Sequence, residues 1–114
     1  MRILVKATEL DLTPSLKTYI EEKLGALERF IRRFDLEGAA SLRVEVGRTT
    51  YHHKHGKVFR AEANLELPGG ILRAENQHED LRVAIDKVKA LLKTEIEKYR
   101  ARHIPQRSQR RSKT

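Results

Sequence analysis

The chain has 114 residues, 39% of them hydrophobic and 35% charged, a balance that excludes a disordered polyelectrolyte and suits a single domain with one modest core. It has no cysteine, which excludes disulfides, thiolate metal sites and thiol nucleophiles, and no apolar run approaches the roughly 18 residues of a membrane span. The formal net charge of +8 favours a polyanionic partner, nucleic acid before an anionic membrane surface.

Arg2–Thr8 is a short apolar and β-branched run that reads as a strand at the start of the chain. The opening MRILVKATEL meets charge too soon for a signal peptide, so the expected address is the cytoplasm. Thr13 before Pro14 is a good N-cap followed by the residue best suited to the first helical position. From there Leu16, Ile20, Leu24, Leu27, Ile31 and Phe34 line one face of a helix over about five turns. Lys17, Arg29, Arg32 and Arg33 point elsewhere, and Lys23 falls beside the apolar face. Gly25 inside this segment costs about 1 kcal/mol relative to alanine, a sign of close packing or of tolerance.

Gly38 ends the segment, and Ser41–Arg48 then alternates, with Leu42, Val44 and Val46 on one side and Arg43 and Glu45 on the other. Residues 58–67 alternate again: Phe59, Ala61, Ala63, Leu65 and Leu67 share one parity, while Arg60, Glu62, Asn64 and Glu66 share the other. The second set reads as cross-strand charge pairs in water, not as a carboxylate site. Pro68, Gly69 and Gly70 turn the chain into a strand over 71–75.

A long helix is expected from the acidic cluster His78, Glu79, Asp80, with Leu81, Ile85, Val88, Leu92, Ile96 and Tyr99 as its buried stripe. At about 100° per residue, Arg82, Lys89, Lys93 and Arg100 form a second line beside that stripe. Glu79 and Asp80 fit the positive end of the helix dipole and its free amides. After Tyr99 the periodicity stops, so the domain is placed at residues 1–99 and residues 100–114 are read as a flexible basic tail.

The order is β-α-β-β-β-α, an α+β two-layer sandwich. A right-handed helical crossover makes the first two strands parallel, short connections make the rest antiparallel, and both helices cover one face of a four-stranded sheet. His52, His53 and His55 are the only metal-like cluster and lack a third or fourth fixed ligand of another kind. No glycine-rich phosphate cradle and no unexplained Ser, His and Asp set is present, so no catalytic residue, metal or cofactor is assigned and an enzyme is not expected.

The strings LTPSLKTYIEEKL, KLGALERF and PGGILRAENQHEDLRVAID, with the order of elements, resemble the short form of the ribosome hibernation promoting factor and ribosome-associated translation inhibitor family, long labelled sigma-54 modulation proteins. The resemblance runs from residue 2 to about 98. It implies a fold shaped like a double-stranded-RNA-binding domain, a monomer when free, whose partner is the small ribosomal subunit and its rRNA. It further implies a translation inhibitor of the bacterial stress response that occupies the channel over the decoding region, where messenger RNA and the A- and P-site tRNAs would sit. Basic residues on the exposed sides of both helices are that family's rRNA contacts. Lys23, Arg29 and Lys98 match such positions, while Ala26, Leu91 and Thr94 stand where basic residues are usual and Arg82 replaces a common tyrosine. Lys89 and Lys93 lie near enough to take over the charge, and with Arg100 from the same line of the helix the expected rRNA-binding set is Lys23, Arg29, Arg82, Lys89, Lys93, Lys98 and Arg100. Long forms carry a further dimerising domain, and direct bridging of two ribosomes is not expected of this chain. A free-standing double-stranded-RNA-binding module is the second reading.

Overall fold

The computed structural model describes residues 1–35, 37–49 and 58–103. The histidine loop and the tail from residue 104 lie outside the described residues. Four strands, β1 (Arg2–Thr8), β2 (Ser41–Arg48), β3 (Phe59–Leu67) and β4 (Gly70–His78), form one sheet in sequence order. β1 and β2 run parallel, and the other neighbours are antiparallel. The crossover between β1 and β2 carries α1 (Pro14–Gly25), and α2 (Leu81–His103) follows β4.

Alternation settles which face is buried. Leu42, Val44, Val46, Ala61, Ala63, Leu65, Leu72 and Ala74 point to the helix side and are buried there. From α2, Ile85, Val88, Leu92 and Ile96 are fully buried against them, each stabilising the fold by about 1.5–3 kcal/mol. Tyr99 closes the far end: it is 2% exposed, and its hydroxyl donates to the Pro68 carbonyl at 2.6 Å.

Both helix starts are capped as the sequence reading expects. Leu16 N–H donates to Thr13 Oγ1 at 3.1 Å, and Arg82 N–H donates to Asp80 Oδ1 at 2.9 Å. Pro68 and Gly69, the latter at φ +85°, make the two-residue turn between β3 and β4, the pattern of a type II turn.

Three boundaries differ from expectation. The first helix does not remain α-helical to Phe34; after Gly25 the chain tightens into 3-10 turns at Ala26–Phe30 and Arg32–Phe34. Leu27 within the first of these turns and Ile31 just after it stay buried although the helix type changes. β4 runs three residues further than 75, because Asn76, Gln77 and His78 find ladder partners in Ala61, Arg60 and Phe59. α2 continues past Tyr99 to His103, whose ring stacks on Tyr99 with centroids 4.0 Å apart and whose Nδ1 lies 2.8 Å from the Tyr99 carbonyl oxygen.

On the open side of the sheet, Arg60 pairs with Glu62 and Glu75, and Arg73 pairs with the same two carboxylates. Arg60 with Glu75 and Arg73 with Glu62 are the cross-strand pairs expected from the alternation, the other two run along a single strand, and together they leave that face close to electrically balanced.

Candidate nucleic-acid interface

The helix layer carries the excess of cations, and its geometry gathers several of them along the seam between α1 and α2. Tyr19 and Phe30 stand half-buried on the α1 side of the seam, each one residue before a buried isoleucine, Ile20 and Ile31. Each ring has two cations within about 6 Å of its centroid, one from each side of the seam. The Arg82 guanidinium lies 4.6 Å from the Tyr19 ring centroid and Lys23 Nζ lies 5.5 Å from it. Further along, Arg29 lies 4.7 Å from the Phe30 centroid and Lys93 Nζ lies 5.2 Å from it. Each such contact contributes about 0.5–1 kcal/mol at an exposed site, enough to bias where a long cationic side chain rests while leaving its charge unneutralised.

Asp86 ties the first clamp together. Tyr19 OH donates to Asp86 Oδ1 at 2.7 Å, and Lys23 Nζ lies 3.8 Å from the same oxygen. The bond to Asp86, with some desolvation, raises the Tyr19 phenol above its ordinary range, so it remains a neutral donor. Arg82 also donates to Ser15 Oγ at 3.4 Å, which joins the start of α2 to the start of α1. Arg82 and Lys93 are eleven residues apart, so the two clamps are separated by about 16 Å along α2.

Lys89 lies on the same line of α2 between the clamps and is half-buried; among the described residues neither it nor Arg29 has a carboxylate partner. Arg100 continues the line toward the helix end. Lys98 does not join them: it stands about 160° around α2 from Arg82 and pairs with Glu95 at 3.3 Å. The structure therefore brings Lys23, Arg29, Arg82, Lys89 and Lys93 together, sets Arg100 in extension, and separates Lys98. Ala26, Leu91 and Thr94 are all exposed, and Leu91 is 45% so.

The sequence reading missed the aromatic residues and Asp86. Their signal was present: an aromatic at the rim of an apolar stripe, with a lysine four residues on in Tyr19 and Lys23, or an arginine immediately before in Arg29 and Phe30. No group of three or more potential metal ligands occurs among the described residues, and no described helix is long and apolar enough to cross a membrane.

Comparison with known proteins meets this geometry from another side. Residues 3–104 match the family model described as sigma 54 modulation protein / S30EA ribosomal protein. Ribosome hibernation promotion factors from Deinococcus radiodurans and from Staphylococcus aureus strain COL are each 32% identical over 102 residues, 90% of this chain. The chain spans about half the length of these curated relatives, 50% in both cases. Among solved structures, the N-terminal domain of Thermus thermophilus Protein Y aligns with a TM-score of 0.65 at 30% identity, covering 87% of this chain and 99% of that one. A ribosomal subunit interface protein from Coxiella burnetii aligns with a TM-score of 0.70 at 20% identity, covering 89% of this chain and 99% of that one, and supports the fold.

Proposed function

The chain belongs to the sigma 54 modulation protein / S30EA ribosomal protein family, and from that premise we propose that it binds the small ribosomal subunit through the α1–α2 seam and holds the ribosome inactive. The single observation that carries this reading is the pair of cation-aromatic clamps. They hold Lys23, Arg29, Arg82 and Lys93 on one flank, spaced along a helix, while the sheet's opposite face is balanced by its own ion pairs. A surface of that kind neutralises phosphates without reading bases, because arginine and lysine bound to backbone oxygens position a protein and carry no sequence information.

Docked over the decoding region, the domain would act by occupancy alone, excluding messenger RNA and the A- and P-site tRNAs from the volume it fills. Hibernation follows from that exclusion and needs no chemistry from the protein. The relatives' name, ribosome hibernation promotion factor, agrees with it. Arg100 extends the contact line, and Lys98 stands apart on the other flank.

Co-sedimentation with purified small subunits tests the reading. The wild-type chain pellets with the subunit in low salt, whereas Lys89→Glu with Lys93→Glu, which reverses two charges on the seam flank of α2 outside its buried stripe, does not. Undiminished pelleting of the double variant would overturn the seam as the contact surface. Competition with plain duplex RNA decides the remaining alternative: a ribosome factor prefers the subunit, and equal competition would identify a general duplex-RNA binder.

A further inference from the structure

The outer edge of β4 is a nine-residue strand without proline that, among the described residues, pairs on one side only. An uncovered edge of this length presents a row of free N–H and C=O groups to any second strand. We propose that this edge is a self-complementary docking surface on which a second copy of the chain pairs antiparallel through β4, joining the two sheets across a twofold axis at Ala74.

The charges select that register. With Ala74 opposite Ala74 of the second copy, Arg73 faces Glu75 and Glu75 faces Arg73, and all nine residues of GILRAENQH are paired. A shift of the axis by one residue sets Arg73 against Arg73 or Glu75 against Glu75, which is repulsive. Both pairs lie on the open side of the sheet, where Arg73 and Glu75 are 3.8 Å apart and exposed.

The helix above the edge repeats the pattern. α1 packs on the flank of α2 that carries Arg82 and Lys93, so the opposite flank, about 180° from Arg82, overhangs β4's free side. Leu91 is on that flank and is one of three large exposed hydrophobics among the described residues, with Leu4 and Ile71. α2 starts just beyond His78, and its last residue His103 lies beside Gly69. Leu91, near the middle of α2, is therefore level with Ala74, near the same axis. About that axis Leu91 meets its own copy, and Lys87 faces Glu95 of the second copy. Strand and helix thus favour one isologous contact. The seam on the other flank stays open, so association and nucleic-acid binding are read separately. Against the monomer expected from sequence, the edge predicts a concentration-dependent dimer.

Sedimentation velocity of the full chain from about 1 μM to about 1 mM tests this. The wild type shifts from monomer to dimer over that range. Arg73→Glu and Glu75→Arg each place like charges opposite one another twice per dimer and raise the dissociation constant roughly tenfold or more. An equimolar mixture of the two variants again sets opposite charges face to face and dimerises. Leu91→Glu, at an exposed helix position, leaves the far-UV spectrum and melting temperature intact and disfavours the dimer. A wild type that stays monomeric throughout, single variants that dimerise as the wild type does, or a mixture that stays monomeric would each overturn the proposal.

Discussion

Neutralising Lys89 and Lys93 by Lys89→Gln with Lys93→Gln should change the salt dependence of small-subunit binding by an amount the structure sets. Five cations converge on the seam: Lys23, Arg29, Arg82, Lys89 and Lys93. If each displaces a counterion from rRNA, the slope of log K against log salt is about −0.7 to −0.9 per contact, or roughly −3.5 to −4.5 in all. Raising salt from about 50 to about 200 mM then weakens the wild type by roughly 10² to 10³. Removing two contacts brings the slope to about −2 to −3, so the wild type and the variant differ most in dilute buffer and converge as salt rises. Lys98→Gln is the internal control: that lysine is paired with Glu95 on the other flank, so the slope should hold. Fluorescence anisotropy of labelled protein titrated with small subunits at four or more salt concentrations reads both slopes. An unchanged slope in the double variant, or an equal fall in Lys98→Gln, would refute the assignment of contacts to the seam.

The fold was legible because each strand buries one side and each helix one stripe. Alternation in Ser41–Arg48 marked the parity that ends up inside, and Thr13-Pro14 marked the turn at which α1 begins. What failed was where secondary structure depends on a distant partner. Asn76, Gln77 and His78 interrupt the apolar pattern, so nothing local marks them as strand, yet β3 supplies their hydrogen bonds. The last turn of α2 is held by stacking of His103 on Tyr99 and by Phe34, whose ring lies 4.9 Å from Tyr99, a contact made across more than sixty positions of chain. The 3-10 turns after Gly25 share the three-residue apolar spacing that an α-helix also allows, so period alone could not separate the two.

The site was less legible than the fold, for a reason that lies in helix geometry. Periodicity gives the angle of each cation about its own axis, which is enough to align Arg82, Lys89 and Lys93 and to show that Lys98 lies elsewhere. It does not say which flank of α2 faces α1. That relation comes from Asp86 bonding Tyr19 and from Arg82 reaching Ser15, both across a separation of 67 residues. Once it is known, Lys23 and Arg29 of the first segment fall on the same seam, and the aromatic rings between the cations become part of it.

Three further outcomes follow from local geometry. Gly25→Ala should raise stability by about 0.5–1 kcal/mol, because Gly25 has right-handed helical angles, φ −62° and ψ −26°, and an added Cβ would meet only the Ile3 side chain, at 3.5 Å. A melting temperature that falls would show the site to be overpacked. Asp80→Ala should cost about 1 kcal/mol in urea unfolding by removing the cap on Arg82 N–H, and no loss would mean that water replaces it. The third concerns pH. The Met1 ammonium lies 2.9 Å from both Glu28 Oε2 and Asp35 Oδ2. Hydrogen bonds to Glu28 and then Asp35 raise its pKa above the ordinary 8.0. The backbone N–H of Ala40, followed by that ammonium, holds the Asp35 carboxyl below its ordinary 3.8. A raised amine favours folding fully below pH 8.0 and loses that contribution as pH climbs through its folded-state value. A depressed carboxyl favours folding fully above 3.8 and loses it as pH falls through its own folded-state value. Stability from this cluster should therefore be flat between those two limits and decline on both sides. Melting temperatures across pH should show Asp35→Asn blunting the acid decline and acetylation of the α-amine removing the alkaline one. An alkaline decline that survives acetylation would place its origin outside the Met1, Glu28 and Asp35 cluster.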